Sequence, residues 1–427
     1  MTRVPGDKSI SHRALLLGAL AEGENRLTGL LPGADCRSTR SVLRRLGVEL
    51  PELPEDAGLL TFRGVGIDGL RVPGGGALDC GNSGTTARLL LGLLAGAGVR
   101  ATLTGDDSLR SRPMRRVTEP LSAMGAEFRE EGEEGRLPVR VESGVRHTLE
   151  YRTPVASAQI KSALLLAGLA AGVAVTVSEP DRSRDHTERM LRMAGVPIHE
   201  ETVGSRWKVS LPAPPAGLSR WTLSPFTMDV PGDFSSAIFL IALGLLREGD
   251  PLRLKQIGIN PTRTGALPVL ERMGARIRYE STRGLDGDVG EPVADLVVRS
   301  GSLSATTVGA AEIPSLIDEV PILAAVASRA GGRTVFRGAQ ELRVKESDRI
   351  HALVSNLRGL GIEVEEFPDG LAVTGSERPL EGSVATYHDH RIAMAFAVLG
   401  ALPGNRIEIE DPSLVEISYP GFWEALG

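Results

Sequence analysis

Ten residues, Glu341-Leu342-Arg343-Val344-Lys345-Glu346-Ser347-Asp348-Arg349-Ile350, hold one lysine, two arginines and three carboxylates beside a short apolar rhythm. Such a set can bind an anion and move a proton. The bland alternative is a solvated helix face carrying Arg343, Lys345 and Glu346. Lysine usage argues against it. Of the 48 Lys and Arg, five are Lys: Lys8, Lys161, Lys208, Lys255 and Lys345. Where a background cation sufficed the chain uses arginine, so a retained Lys suggests need of a compact, titratable ammonium. Three of the five stand in dense polar clusters: Pro5–Arg13, Ser157–Ser162 and the stretch above.

Other clusters carry related chemistry. Gly81-Asn82-Ser83-Gly84-Thr85-Thr86 runs into Ala87-Arg88-Leu89-Leu90-Leu91. A helix opening there offers free N–H groups to an anion, and Gly84 lets a ligand approach the backbone. A plain turn with an N-cap is the alternative. Asp107–Met114 sets Arg110 and Arg112 just before Pro113, a rigid presentation for bidentate oxyanion contact; a surface loop would look similar. Ser157-Ala158-Gln159 brings a hydroxyl and an amide to a helix start. Asp318, in Ile317-Asp318-Glu319-Val320-Pro321, is either the cap opening a helix or a base in a dry cleft. Asp389-His390-Arg391 opens another helix; His390 is structural or in the site, and Arg391 points to an anion.

These clusters sit at the starts of repeated elements. Val4-Pro5-Gly6-Asp7-Lys8-Ser9 recurs as Val230-Pro231-Gly232-Asp233-Phe234-Ser235, each leading into an apolar run. The halves therefore begin near residues 4 and 230. Within them, apolar helices are expected at Ser9–Ala21, Ser83–Ala95, Ser157–Ala171, Ser235–Leu246, Asp318–Ala330 and Asp389–Leu402. Each is followed by an amphipathic helix ending in an apolar residue and Gly: Gly47, Gly125, Gly195, Gly274, Gly361 and Gly427. Glycine there suits a C-cap with positive φ. A helix apolar all round is buried on every side. The expected architecture is α/β: six units of βαβαββ type in two pseudo-threefold, inside-out domains with buried helices and a cleft between the domains. The boundaries expected are 8–229 for the first domain and 1–7 plus 230–427 for the second, with crossings near 5–9 and 229–233.

Composition narrows the function. A net charge of −6 gives no general attraction to nucleic acid or anionic membrane, so anion binding must come from local clusters. No apolar run approaches the roughly 20 residues needed to span a bilayer. No signal-peptide pattern opens the chain, and Cys36 and Cys80 make neither a disulfide framework nor a zinc site. A cytoplasmic protein is expected, with no metal.

Taken together, Pro5–Arg13, Gly81–Arg88, Ser108–Met114, Ser157–Ser162, Ser183–Glu188, Pro231–Ser236, Arg343–Ile350 and Asp389–Met394 resemble the 5-enolpyruvylshikimate-3-phosphate synthase family, also called 3-phosphoshikimate 1-carboxyvinyltransferases. The resemblance runs from residue 4 to residue 423. It implies transfer of the enolpyruvyl group of phosphoenolpyruvate to the 5-hydroxyl of shikimate 3-phosphate, through a tetrahedral intermediate, without cofactor, by a monomer of the shikimate pathway. Lys8, Gly84, Arg112, Gln159, Arg349 and Arg391 then look like phosphoenolpyruvate ligands. Ser9, Arg13, Ser157, Gln159, Asp318 and Lys345 look like shikimate 3-phosphate ligands, with Ser183, Arg184 and His186 weaker candidates. Asp318 would take the hydroxyl proton; Glu346 and Lys8 would handle the methylene proton. The resemblance also implies inhibition by glyphosate, with Gly84 setting the room available to it, and closure of the two halves by dianionic substrate.

The chain departs from the family pattern in places. It begins about four residues before the Pro-Gly-Asp-Lys motif, where the family usually has another strand, so translation starting upstream or an absent strand are both expected readings. Ile417 stands where some relatives carry a phosphoenolpyruvate-contacting Lys, Glu341 where some have an Asn contacting the shikimate moiety, and Leu89 where some have Pro. The alternative within this fold is the enzyme transferring the same group to UDP-N-acetylglucosamine, which typically uses a cysteine in a mobile loop. A non-catalytic repeat scaffold would explain the duplication but not the clustered cations.

Overall fold

The computed structural model describes residues 2–72, 76–284 and 290–427. They form two compact units. The N-terminal unit comprises Gly6–Val230 with Gly290 and Glu291; the C-terminal unit comprises residues 2–5, 231–284 and 292–427. Each has its own apolar core.

The N-terminal unit contains three sheets. The second runs in the order Ala77–Asp79, Ala101–Thr104, Val139–Ser143, Glu127–Glu130, and the third in the order Leu149–Arg152, Val175–Glu179, Arg206–Leu211, His199–Val203. In both, the first two strands are parallel and joined through a buried helix, while the remaining pairs are antiparallel. This is the full βαβαββ unit. The first sheet takes its leading strand from far along the chain: Thr227–Asp229 lies parallel to Glu24–Thr28, which pairs antiparallel with Leu60–Arg63.

The buried helices are Lys8–Leu20, Gly84–Ala97 and Ala158–Ala171. The second and third approach closely, because a Cβ on Gly92 or Gly96 would lie 2.1 or 2.3 Å from the carbonyl oxygen of Ala163 or Ala167. This brings the starts of the two helices, and the polar residues on them, side by side.

The C-terminal unit repeats the plan with local changes. Leu252–Gly258, Val293–Arg299 and Arg276–Arg283 form an antiparallel sheet, with isolated parallel bridges from Thr2 to Leu254 and Gly232 to Ile257 in place of a leading strand. The fifth sheet, Thr307–Val308, Arg333–Phe336, Gly370–Thr374, Val364–Phe367, is complete. The sixth retains the parallel pair Glu381–Val384 and Arg406–Ile409, after which the chain turns through Pro412–Ile417 into the short helix Phe422–Leu426. The Ile417 side chain lies outside the described residues. Phe234–Leu246, Val320–Ala327 and His390–Gly400 are the buried helices. All six expected capping glycines have positive φ, between 79° and 97°, which explains why Gly recurs there.

Candidate active site

In the N-terminal unit, the Asp7 carboxylate caps the first buried helix by accepting from the Ile10 N–H at 2.9 Å. This fixes Lys8 and Ser9 at the first turn. The Lys8 ammonium lies 3.2 Å from Asp35, which opens the helix Ala34–Arg45. One turn on, buried Arg13 donates from Nε to Thr187 Oγ1, from Nη1 to the Ser9 carbonyl and from Nη2 to Ser162 Oγ. Burial lowers its pKa to about 10, against the pull of Glu188 and Asp7, so it stays a cation at neutral pH. Arg184 contributes to the field at Arg13.

The glycine-rich turn makes the most concentrated cationic group. Ser83 caps the helix Gly84–Ala97, accepting from Thr86 N. Arg88, one turn in, donates Nη1 to Gln159 Oε1 at 2.7 Å. Gln159 Nε2 donates to Thr85 Oγ1 at 3.2 Å. Arg112 Nη2 is held by Asn82 Oδ1 and Ser108 Oγ, and Arg116 Nη2 donates to Ser157 Oγ. Arg88, Arg112 and Arg116 have neutral partners and no carboxylate in an ion pair among the described residues. Burial, with Arg116 and Arg112 nearby, lowers the Arg88 pKa to about 10. Arg112 and Arg116, more open than Arg88 and without a carboxylate partner among the described residues, make a receptor for an oxyanion, with Arg88 buried beside them. The sequence had pointed to Arg112, Gly84, Ser157 and Gln159 here. Arg88 and Arg116 were missed; the signal for Arg88 was a cation inside the apolar run Ala87–Leu91.

Lys161 is one of the three lysines whose polar clusters suggest a titratable ammonium in a site. Its ammonium is instead 0 % exposed, 2.8 Å from both Glu179 and Glu188. It is a structural ion. Glu179 in turn accepts from the Ser157 backbone N–H and from Ser183 Oγ, so this triad orients two candidate serines. His186 is buried, with Nδ1 2.8 Å from Glu291.

A chain of neutral polar groups supports the two helix starts. His12 Nδ1 meets Thr39 Oγ1 at 2.7 Å, Thr39 meets Thr86 Oγ1, and Thr86 donates to Ser83 Oγ. Burial lowers the His12 pKa to about 4, with Lys8 and Arg13 acting the same way and Asp35 opposing. The unfolded chain, near the ordinary 6.5, therefore takes up this proton first. Stability from the neutral ring is full above about pH 6.5 and is lost as pH falls towards 4, up to about 3 kcal/mol. Urea unfolding of His12→Asn should show a flatter pH dependence over that range than the native chain. An unchanged slope would remove His12 from the explanation.

In the C-terminal unit, the fifth buried helix starts at Val320. Asp318 lies before it in the 3-10 turn Ile317–Glu319, and among the described residues no side chain caps that helix. The expectation that Asp318 opens the helix is corrected: Pro321 and the tight turn set the start, and the Asp318 carboxylate faces cations instead. Arg349 Nη1 lies 3.4 Å away, Arg263 Nη1 3.7 Å, Lys345 Nζ 3.8 Å and Arg391 Nη2 3.9 Å. Arg391 Nη1 also donates to the Asp318 carbonyl.

Arg349 is the hub. It donates Nε to Asp389 Oδ2 and Nη2 to Glu346 Oε2, each at 2.7 Å. Burial would raise the Glu346 pKa, but Arg349 and His390 outweigh it and hold the carboxyl down at about 2. Asp389 is likewise lowered; Arg349 and His390 overcome its burial. Asp389 caps the helix His390–Gly400 by accepting from Arg391 N. Arg343 is structural, tying Gln340–Val344 to Glu366 and the Phe367 carbonyl. Glu341 is exposed on that turn. Asp389 and Arg263 are the members of this cluster that sequence missed as site residues.

Both cysteines are buried, and burial pushes the Cys80 thiol up to about 12, with Asp79 acting in the same sense. Among the described residues, no group of three or more His, Cys, Asp and Glu is placed to hold a metal ion, and no helix is long and apolar enough to cross a membrane.

Comparison with known proteins agrees with this chemistry. The model of the EPSP synthase (3-phosphoshikimate 1-carboxyvinyltransferase) family matches residues 1–426. A 3-phosphoshikimate 1-carboxyvinyltransferase of Gloeobacter violaceus is 50% identical over 426 residues, 99% of this chain and 94% of that one. One from Thermus thermophilus is 49% identical over 431 residues, 99% of this chain and 95% of that one. An EPSP synthase structure from Acinetobacter baumannii superposes with a TM-score of 0.86 at 40% identity, covering 99% of this chain and 94% of that chain. An enolpyruvyl transferase of Streptomyces tendae, 18% identical with a TM-score of 0.73 over 100% of this chain and 93% of that chain, shares the fold. The chain belongs to the EPSP synthase, or 3-phosphoshikimate 1-carboxyvinyltransferase, family.

Proposed function

We propose that this chain transfers the enolpyruvyl group of phosphoenolpyruvate to the 5-hydroxyl of shikimate 3-phosphate, releasing phosphate, in the pathway to chorismate and the aromatic amino acids. The observation that carries this is Arg112 and Arg116 beside Gly84 and buried Arg88, cations whose partners among the described residues are neutral. Transfer to UDP-N-acetylglucosamine is disfavoured by the two buried thiols.

The residues divide the work. Lys8, Arg112, Gln159 and the backbone at Gly84 bind phosphoenolpyruvate; Ser9, Arg13, Ser157 and Gln159 bind shikimate 3-phosphate, with Ser183, Arg184 and His186 as further contacts. From the C-terminal unit, Lys345 and Asp318 serve the shikimate moiety, and Arg349 and Arg391 serve phosphoenolpyruvate. Asp318 takes the 5-hydroxyl proton as the oxygen bonds to C2 of phosphoenolpyruvate. Glu346 and Lys8 deliver a proton to C3 and remove one when the C2–O bond to phosphate breaks. Glu346 held near 2 is a poor acid, so anionic substrate that diverts Arg349 and raises its pKa is part of this mechanism. The steps use side chains alone, with no metal or organic cofactor. The same reading places a monomer in the cytoplasm.

C3 becomes a methyl group in the tetrahedral intermediate, so turnover in deuterium oxide should put deuterium on the methylene of the product. Glu346→Gln should slow turnover and labelling together by at least about 100-fold. Product free of deuterium would exclude addition–elimination.

Gly84→Ala places a methyl 3.0 Å from Arg88 Nη1 and 3.5 Å from Arg112 Nη1, the movable ends of two side chains. The fold should persist while the anion pocket shifts by a few tenths of an ångström. Glyphosate, longer than phosphoenolpyruvate, should lose more affinity than the substrate does. Inhibition constants beside KM for both proteins check this; equal losses would show that Gly84 serves the turn alone.

A further inference from the structure

Arg88 is 8 % exposed and its Nε has no hydrogen-bond partner among the described residues. Its firm bond is from Nη1 to Gln159 Oε1 at 2.7 Å; Nη2 reaches the Pro113 carbonyl at 3.4 Å. A buried cation without a counter-charge is costly and needs a reason. Its partner supplies one. A carboxamide has an acceptor end and a donor end of nearly equal size and can flip between them. An arginine only donates, so it accepts one of the two orientations. With Oε1 drawn to Arg88, Gln159 Nε2 faces the other way, where one of its hydrogens goes to Thr85 Oγ1. The other is left to donate. Beside Arg112 and Gly84, a donor suits an anionic substrate, whereas Oε1 in its place would repel one.

We infer that Arg88 is a positioning residue for the transfer reaction: it locks the Gln159 carboxamide so that its amino group faces phosphoenolpyruvate. This rests on the proposed reading of the site as a phosphoenolpyruvate site. Gly84 belongs to the same device, because a Cβ there would press on the Arg88 guanidinium at 3.0 Å.

The test is a double-mutant cycle of Arg88→Met and Gln159→Ala, reading KM and kcat with phosphoenolpyruvate and, independently of turnover, its dissociation constant by calorimetry. Arg88→Met alone should raise KM and the dissociation constant at least about tenfold, the range for losing a hydrogen bond to a charged group, with a smaller change in kcat. In the Gln159→Ala background the same change should cost less than about twofold. Equal costs in both backgrounds would mean that Arg88 acts on the ligand directly and would overturn the inference. Arg88→Lys guards against a folding defect: its ammonium also only donates, so a dissociation constant within about threefold of native is expected. A tenfold loss in that variant, at an unchanged melting temperature, would also overturn it. If the native chain binds phosphoenolpyruvate but does not turn over with shikimate 3-phosphate, the transfer reading fails while the binding cycle still decides the role of Arg88.

Discussion

Asp318→Asn should cut turnover by about 10²–10⁴-fold, the span for losing a positioned base, while both substrates remain bound. Asparagine matches aspartate in shape but cannot take a proton. The Asp318 carboxylate has four cations within 3.4 to 3.9 Å, from Arg349, Arg263, Lys345 and Arg391. Removing one negative charge from their midst leaves the surroundings more positive. Shikimate 3-phosphate, with its carboxylate and phosphate, should therefore bind as well as before, or more tightly. The signature is a fall in kcat without a rise in the dissociation constant. A purely structural role would give the opposite pattern, with cation repulsion lowering the melting temperature and binding lost alongside turnover. Turnover within about tenfold of native would remove Asp318 as the base.

Lys161→Met should be the most destabilising single change, costing about 3–5 kcal/mol, the usual loss when one partner of a buried ion pair is removed. The ammonium, Glu179 and Glu188 are all 0 % exposed. Burial already raises the Glu188 pKa despite Lys161. Without the cation two carboxylates would face each other in a dry interior, and at least one would have to take up a proton to stay folded. The loss should shrink as pH is lowered, because protonation relieves it. Glu179 also holds Ser157 and Ser183, so the variant should bind shikimate 3-phosphate less well even where it folds. Urea unfolding across pH measures the cost. A loss below about 1 kcal/mol, or one independent of pH, would show that the triad is dispensable.

The contrast between Lys161 and Lys345 shows what a sequence conceals. Both are rare lysines in polar clusters beside helix starts. Burial separates them: Lys161 faces two acids from its own unit's core, whereas Lys345 is partly exposed beside Asp318. Local periodicity was legible because it is imposed by short-range geometry. The six apolar helices, and the glycines that cap the second helix of each unit, follow from such patterns. Pairings distant in sequence were not: nothing local in Thr227–Asp229 announces that it lies against Glu24–Thr28. The truncated sixth sheet was hidden for the same reason. Arg112 and Gln159 stood out in loops and at helix starts, but Arg88 hid within an apolar run and Asp389 passed as an ordinary cap. Its second task, accepting from Arg349 Nε, depends on a contact forty residues away.

Incubating the purified chain with phosphoenolpyruvate and one acceptor at a time, and measuring phosphate together with the mass of the product, tests the central claim most directly. With shikimate 3-phosphate, phosphate should appear in step with an enolpyruvyl ether of that acceptor. With unphosphorylated shikimate or UDP-N-acetylglucosamine it should be close to background. No phosphate with shikimate 3-phosphate, or faster release with the nucleotide sugar, would contradict the account.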